Sequence, residues 1–380
     1  MKELKDIRKE IDSIDDQLVD LYLKRMNLSK EVALSKAKKG KAITDLEREN
    51  QIVYRLSDKL PKEMKLYLKE LYSTIFCTGK AYQSNVIGKT SQTVDRLEQV
   101  LSGELEDFPI SASVACQGIK GAYSGEAAQK LFPISDITYF KDFNGVFGAV
   151  EQGFCEYGIL PIENSTAGSV LEVYDLMKKH DFYIVRSVRV RIDHCLCVKA
   201  NGDISNVKKV ISHQQALSQC REFIRNNKYE SVTCENTAIA AKMLSEEQGD
   251  DLACICSEEC AKIYGLKIVR KSVQDNSNNY TRFICISKNL TIYNGADRIS
   301  VMTSLSHKPG SLNRILSRFS ALGLNLTKIE SRPIPNLEFE FMFYFDFEGN
   351  VKDTEVKNVI AEIENDSNNF VFLGSYKEIL

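Results

Sequence analysis

Residues 7–38 read IRKEIDSIDDQLVDLYLKRMNLSKEVALSKAK. Apolar side chains fall at Ile7, Ile11, Ile14, Leu18, Leu21, Leu28 and Val32, in steps of three, four and seven, with Leu4 just ahead. That spacing keeps one side of a helix apolar over many turns and predicts a long amphipathic helix with a near-heptad stripe. Gly40 ends it. A second helix is expected from Thr44, an N-cap with Glu47 three residues on in capping-box spacing, and its apolar face carries Leu46, Val53, Leu56 and Leu60. Pro61 suits the first turn of a third helix that carries Leu68, Tyr72 and Phe76. Three helices with one long member enclose a poor core, so this unit is expected to dimerise.

Charge interrupts the apolar stripes. Arg25 falls in the gap between Leu21 and Leu28, and Lys36 follows Val32 by four. The two are three helical turns apart, so they point the same way with a separation of roughly 16 Å. Glu49 shares the stripe of Leu46, Val53 and Leu56, and Gln83 continues the row Tyr72, Phe76, Gly79. Buried charge is costly unless it is paired or spent on a ligand. Either these groups form an internal ion-pair network or they hold an anion.

Farther along, residues 85–110 are polar and weakly patterned, which reads as a linker with one short helix. From Ser113 short apolar runs (SVACQG, YGILP, VKKVIS, DLACICS, TRFICIS) alternate with helical stretches, the α/β rhythm. Residues 182–192 alternate like a long strand at mid-domain, as a crossover between two lobes would. After Asn294 the order is strand, helix, strand, strand, helix, strand, the ferredoxin-like plan. The expected organisation is therefore an all-α unit at 1–84, a linker at 85–110, a two-lobed α/β unit at 111–288 and an α+β unit at 296–380.

The composition is that of a soluble globular chain: 380 residues, 43% hydrophobic and 27% charged. Fifty Lys and Arg against 52 Asp and Glu give a net charge of −2, which disfavours a basic nucleic-acid binder. No apolar run approaches the roughly 18 residues of a membrane span. The charged N-terminus lacks the apolar core of a signal peptide, and eleven Cys then read as reduced thiols of a cytoplasmic protein. Cys195-x-Cys197 and Cys254-x-Cys256 lack the spacing of common zinc pairs and are expected to be packing residues, with no metal.

Four polar segments mark the α/β unit. Gly118–Ser124 follows a strand and opens a helix, a weak anion cradle on its own. Pro161-Ile162-Glu163-Asn164-Ser165-Thr166 stands at a strand end, as a ligand site or as a turn with a cap. Ser212–Cys220 again runs from strand to helix, with His213 as a cap or core residue rather than an acid–base group, although His194 and His213 could both titrate. Asn278-Asn279-Tyr280-Thr281-Arg282-Phe283 brings Thr and Arg into an apolar strand.

These features carry three resemblances. Residues 7–38 followed by ITDLERENQI resemble the all-helical chorismate mutases, which form intertwined dimers. That likeness implies substrate binding by Arg8, Arg25, Lys36, Asp45, Arg48, Glu49, Gly79 and Gln83, with Lys36, Glu49 and Gln83 as the catalytic groups. Gly79 stands where the family often has Ser. Chorismate to prephenate is a pericyclic rearrangement, so it needs a held conformer and donors at the ether oxygen, but no cofactor. Arg8 lies 17 residues from Arg25, about 25 Å along a helix, so the two are expected to serve different sites, Arg8 in the partner's.

Residues 112–287 resemble prephenate dehydratase. This implies Thr281 as the group that protonates the leaving hydroxyl, with Glu163, Asn164, Ser165, Thr166, Ser212, Gln219, Arg282 and Phe283 around the substrate. The C-terminal unit, with His307–Leu312 and Glu330-Ser331-Arg332-Pro333, resembles the amino-acid-binding ACT domain. Gly310, Ser311, Leu312, Glu330, Ser331 and Arg332 would then bind L-phenylalanine between paired chains. The sum implies a homodimer or larger assembly that converts chorismate to phenylpyruvate under phenylalanine feedback. A non-catalytic small-molecule sensor is the rival, and arogenate the rival substrate.

Overall fold

The computed structural model describes residues 2–40, 45–87, 91–305, 310–334 and 341–380. α1 (Leu4–Lys38) is one unbroken helix, about 52 Å long at the usual rise. α2 (Leu46–Ser57) and α1 both pack on α3 (Lys65–Val86). Thr44 lies outside the described residues. The side chain that caps α2 is Asp45, whose Oδ1 accepts the Arg48 N–H at 3.0 Å. Pro61 precedes a short 3-10 turn at Lys62–Met64, and α3 follows it. The stripe of α1 stays uncovered within one chain: Leu21 is 61% and Leu28 60% exposed.

Residues 85–110 do more than link. α4 (Gln92–Leu101), capped by Ser91 Oγ, buries Leu97 completely among Val356, Ile360 and Ile363 of the C-terminal unit. Thr93 donates to Glu364 at 2.9 Å. The apolar spacing Val94, Leu97, Val100, Leu101 gives the helix one sticky face, and that face makes it core.

The first lobe contains β1 (Ser111–Gln117), α5 (Tyr123–Leu131), β2 (Ile134–Phe140), α6 (Phe143–Glu151), β3 (Tyr157–Asn164), β4 (Gly168–Ser169), α7 (Leu171–Lys179) and β5 (Tyr183–Arg191). β5 is the long strand expected at 182–192, and it runs directly into the second lobe. There the chain forms β6 (Cys195–Val198), β7 (Lys209–His213), α8 (Gln214–Gln219), α9 (Arg221–Asn226), β8 (Glu230–Cys234), α10 (Thr237–Glu246), β9 (Leu252–Cys256), α11 (Glu258–Ile263) and β10 (Lys267–Arg270). It returns along β11 (Tyr280–Ser287), which inserts between β5 and β3, antiparallel to both. The two crossings lie side by side, tied by the Ile192 N–H to the Asn279 carbonyl at 2.8 Å.

The C-terminal unit is β12 (Arg298–Leu305), α12 (Ser311–Ala321), β13 (Leu326–Pro333), β14 (Phe341–Glu348), α13 (Thr354–Asp366) and β15 (Asn369–Ile379), in the expected order. Its sheet does not stop at its own edge. β15 pairs with β12 and then in parallel with β5, Lys377 opposite Arg186, so one sheet runs through both units. Gly374 makes the join possible: its φ is +148° and the Ile184 carbonyl oxygen lies 2.1 Å from where a Cβ would stand.

Candidate active sites

The helical unit gathers its polar groups along successive turns of α3. The Arg25 guanidinium lies over the Phe76 ring at 5.6 Å. A Cβ at position 79 would meet Arg25 Nη1 at 3.3 Å, so Gly79 is what leaves that guanidinium its room. One residue on, Lys80 pairs with Glu49 at 2.9 Å, both half-buried. Lys80 was not among the expected groups, although its place beside Gly79 on the same helix could have drawn notice. Gln83, a turn beyond Gly79, has its Oε1 buried without a hydrogen-bond partner among the described residues. Lys36 is partly buried on α1. Asp45 and Arg48 sit at the start of α2, where Asp45 acts as the cap. Arg8 is exposed near the far end of α1, away from this group.

The second site is a cleft of about 550 Å³ between the two lobes, at the paired crossings. Asn164, His194, His213, Gln219, Thr281 and Phe283 line it, together with the first residues of α5 and α10. No Lys or Arg does so among the described residues. What remains for an anion is the N-terminal ends of those helices, whose peptide dipoles favour negative charge. Thr281 is 8% exposed, and its Oγ1 accepts from Asn164 Nδ2 at 2.9 Å. His213 caps α8, its Nδ1 accepting the Gln215 N–H at 3.3 Å, and burial lowers its pKa. Burial also lowers that of His194.

Arg282 requires a correction. Successive side chains on a strand face opposite ways, so Thr281 and Phe283 look into the cleft while Arg282 looks out of it. Its guanidinium is buried against the C-terminal unit, 2.6 Å from Asp346, 2.5 Å from the Tyr376 hydroxyl and 3.1 Å from Glu378. Burial opposes that charge, but Tyr376, Asp346 and Glu378 outweigh it and hold the pKa up. Arg282 is a clamp between units.

Other expected ligands are also engaged elsewhere. Ser212 is fully buried and donates to the Ile255 carbonyl at 2.6 Å, outside the cleft lining. Ser165 donates to the Asn278 carbonyl and accepts the Tyr280 N–H, while the Thr166 N–H donates to Asn164 Oδ1. Glu163 pairs with Lys328 of β13 at 3.1 Å. The eleven cysteines are free, with Cys256 Sγ 3.7 Å from Cys197 Sγ in the second-lobe core.

In the C-terminal unit, Gly310 opens α12 at φ +82° with nothing among the described residues within 4 Å of a Cβ position. Ser311 is buried, Leu312 packs on the core, and Ser331 is exposed. His307, Lys308 and Pro309 lie outside the described residues. Glu330 and Arg332 face the dehydratase-like unit of the same chain: Ser169 donates to Glu330 at 2.5 Å, and Arg332 pairs with Asp175 at 3.0 Å. Lys328 donates to the same Ser169 at 2.9 Å, and Ser169 borders the cleft. Among the described residues no helix is long and apolar enough to cross a membrane, and no group of three or more His, Cys, Asp or Glu is placed to hold a metal ion.

Comparison with known proteins matches the two sites separately and then together. The chorismate mutase type II family model covers residues 7–84, and the prephenate dehydratase model residues 114–291. A bifunctional chorismate mutase/prephenate dehydratase of Aquifex aeolicus is 30% identical over 383 residues, covering 100% of this chain and 99% of that protein. An arogenate dehydratase/prephenate dehydratase of Arabidopsis thaliana is 37% identical over 275 residues, 69% of this chain and 72% of its own. The crystal structure of prephenate dehydratase from Arthrobacter aurescens in complex with L-Phe has a TM-score of 0.64 at 29% identity, covering 70% of this chain and 89% of that one.

Proposed function

The chain belongs to the bifunctional chorismate mutase/prephenate dehydratase family, and on that premise we propose that it converts chorismate through prephenate to phenylpyruvate in the cytoplasm, under feedback from L-phenylalanine. The observation that carries the reading is the coexistence in one chain of the Arg25, Glu49, Gln83 group on three helices and the Thr281 cleft between two lobes.

In the helical unit Arg25 and Lys36 hold the carboxylates of chorismate, Glu49 its hydroxyl, and Gln83 and Lys36 the ether oxygen as charge builds there. Substrate then replaces Lys80 or joins it as the partner of Glu49. Arg8 completes the site of a second copy, whose α1 would cover the exposed stripe. A homodimer follows, or a larger assembly built from it.

In the cleft, prephenate loses CO2 and hydroxide as its ring becomes aromatic. The C–C bond to the ring carboxylate breaks, its electron pair enters the ring, and the C–O bond to the hydroxyl breaks. One proton must reach the departing oxygen, and Thr281 is the group placed to pass it. The remaining carboxylate meets the N-terminal ends of α5 and α10. Phe283 and Phe143 give the departing carboxylate a less polar wall. Arogenate is the second candidate substrate, since Glu235 puts a carboxylate in the cleft where its ammonium group would sit.

The C-terminal unit is the sensor. Among the described residues nothing crowds Gly310 at the start of α12, where an amino-acid carboxylate would sit, and an ACT-type pairing of two chains would close the site around the ring. Purified full-length protein given chorismate alone should form phenylpyruvate, and added phenylalanine should slow the second step. No product from chorismate would favour the non-catalytic sensor. Product from arogenate but not prephenate would change the substrate and leave the fold reading intact.

A further inference from the structure

The cleft contains a closed ring of side-chain amides whose direction can be deduced from its backbone anchors. Asn164, 5% exposed at the end of β3, accepts two backbone N–H groups on Oδ1, from Thr166 at 3.0 Å and Ala167 at 2.8 Å. Backbone donors cannot reverse, so the Asn164 amide cannot flip. Its Nδ2 must face Thr281 Oγ1 and Asn279 Oδ1, each 2.9 Å away. Asn279, 1% exposed, then presents its own Nδ2 to Gln219 Oε1 at 3.0 Å. Gln219 turns Nε2 back toward Asn164 Oδ1 at 3.5 Å, a long contact that closes the ring.

His194 completes the deduction. It is 2% exposed, and its Nε2 lies 3.0 Å from the same Gln219 Oε1, which only accepts. The imidazole must therefore donate from Nε2, leaving the lone pair on Nδ1, which is buried without a partner among the described residues. Any reversal in the ring sets two donors or two acceptors face to face. Because Thr281 Oγ1 already accepts from Asn164, its own O–H points away from Asn164 and toward the cleft that Thr281 lines.

We infer that Asn279 and His194 are positioning residues for dehydration: they hold the Asn164–Gln219 ring in the one polarity that keeps the Thr281 hydroxyl donating toward substrate. This rests on the dehydratase reading of the cleft. Neither residue touches substrate in this account. A proton donor turned away from the leaving oxygen loses rate with little change in binding, since misplacement by about 1 Å can cost on the order of a hundredfold. The imidazole must stay neutral, because a second proton on Nδ1 would find no acceptor. Burial already favours the neutral form.

The test uses the full-length chain, with prephenate turnover measured for wild type, Asn279→Asp, His194→Met and His194→Gln. Asn279→Asp keeps the shape and sets an oxygen against Gln219 Oε1. His194→Met removes the donor, and His194→Gln restores one. Expected is a loss in kcat of ~100-fold for Asn279→Asp and His194→Met with KM nearly unchanged, substantial recovery in His194→Gln, and mutase turnover as in wild type. Wild-type kcat in either disrupting variant, a loss confined to KM, or a His194→Gln as slow as His194→Met would overturn the positioning role. If His194→Met does not fold, Asn279→Asp decides alone. A wild-type chain inert toward prephenate would instead overturn the dehydratase reading, and the inference with it.

Discussion

The helical unit and the interlobe cleft handle closely related dicarboxylates in opposite ways. On α1 the apolar stripe is open to solvent, Leu21 at 61% and Leu28 at 60%, and Arg8 stands exposed far from Arg25. In the cleft, Asn164, Asn279 and His194 are all at least nine-tenths buried, and each amide has its partner within the same chain. One long helix cannot wrap around a small molecule, so the site proposed on it would borrow a second copy. Two lobes joined by paired crossings enclose a site unaided. The first site is cationic, as a charge-stabilised rearrangement needs. The second has no Lys or Arg in its lining among the described residues, and would work through dipoles, amides and one hydroxyl.

If the two sites are as independent as their construction, they can be broken one at a time. Gln83→Ala should lower chorismate mutase turnover by about a hundredfold or more, as loss of a transition-state donor does, while added prephenate is dehydrated at nearly the wild-type rate. Thr281→Ala should produce the mirror image. Parallel assays with chorismate and with prephenate decide it, and loss of both activities from either change in a folded chain would join the sites that the comparison separates.

Arg8, proposed to serve a second copy's site, gives a smaller, sharper effect. Arg8→Ala and Arg25→Ala chains should each be poor mutases as homodimers. Mixed after subunit exchange, half the dimers are hybrids and one of the two sites in each hybrid has both arginines, so activity should return to about a quarter of wild type. Dehydratase turnover should not respond to mixing. Mutase activity that stays flat once exchange is verified would place Arg8 outside the site.

Much of this was legible in the sequence, and the failures have physical causes. Periodicity located the helices because a 3.6-residue repeat is a local property of α1 and α3. The same logic separates Thr281 from Arg282, since neighbours on a strand point apart. Motif adjacency made Arg282 look like a ligand when period-two geometry already turned it toward Asp346. The sheet continuity through β15 and β5 was not readable, because it depends on Gly374 meeting the Ile184 carbonyl from 190 positions away in sequence. Glu330 and Arg332 looked like free sensor residues for the same reason: their partners, Ser169 and Asp175, lie in another unit. The amide ring was half visible, in Asn164 and Gln219. Asn279 was visible only as part of its motif and His194 only as a group that could titrate, because a polar residue between strands gives no hint of which neighbours it will meet.

The smallest effect concerns acid stability, and it too separates the regions. His194 has its pKa lowered by burial, against weaker raising effects from its Gln219 hydrogen bond and from Asp193. His213 is lowered by burial as well. Unfolded, each takes up a proton near pH 6.5; folded, each does so only at lower pH. In the window between those values the unfolded chain binds more protons, so stability rises with pH there. Their neutral forms therefore favour the fold fully above about pH 6.5, and that advantage drains away as pH falls toward the folded values. Replacing His194 by Gln removes one of the two titrations. The drop in unfolding temperature between pH 8 and pH 5.5 should be smaller in His194→Gln than in wild type, by a few degrees at most. The transition to follow is that of the α/β unit, reported by loss of prephenate turnover on heating, because the helical unit contains no histidine. An equal acid loss in both proteins would mean that His194 is protonated in the folded cleft, and its Nδ1 would then need an acceptor that the buried ring does not offer.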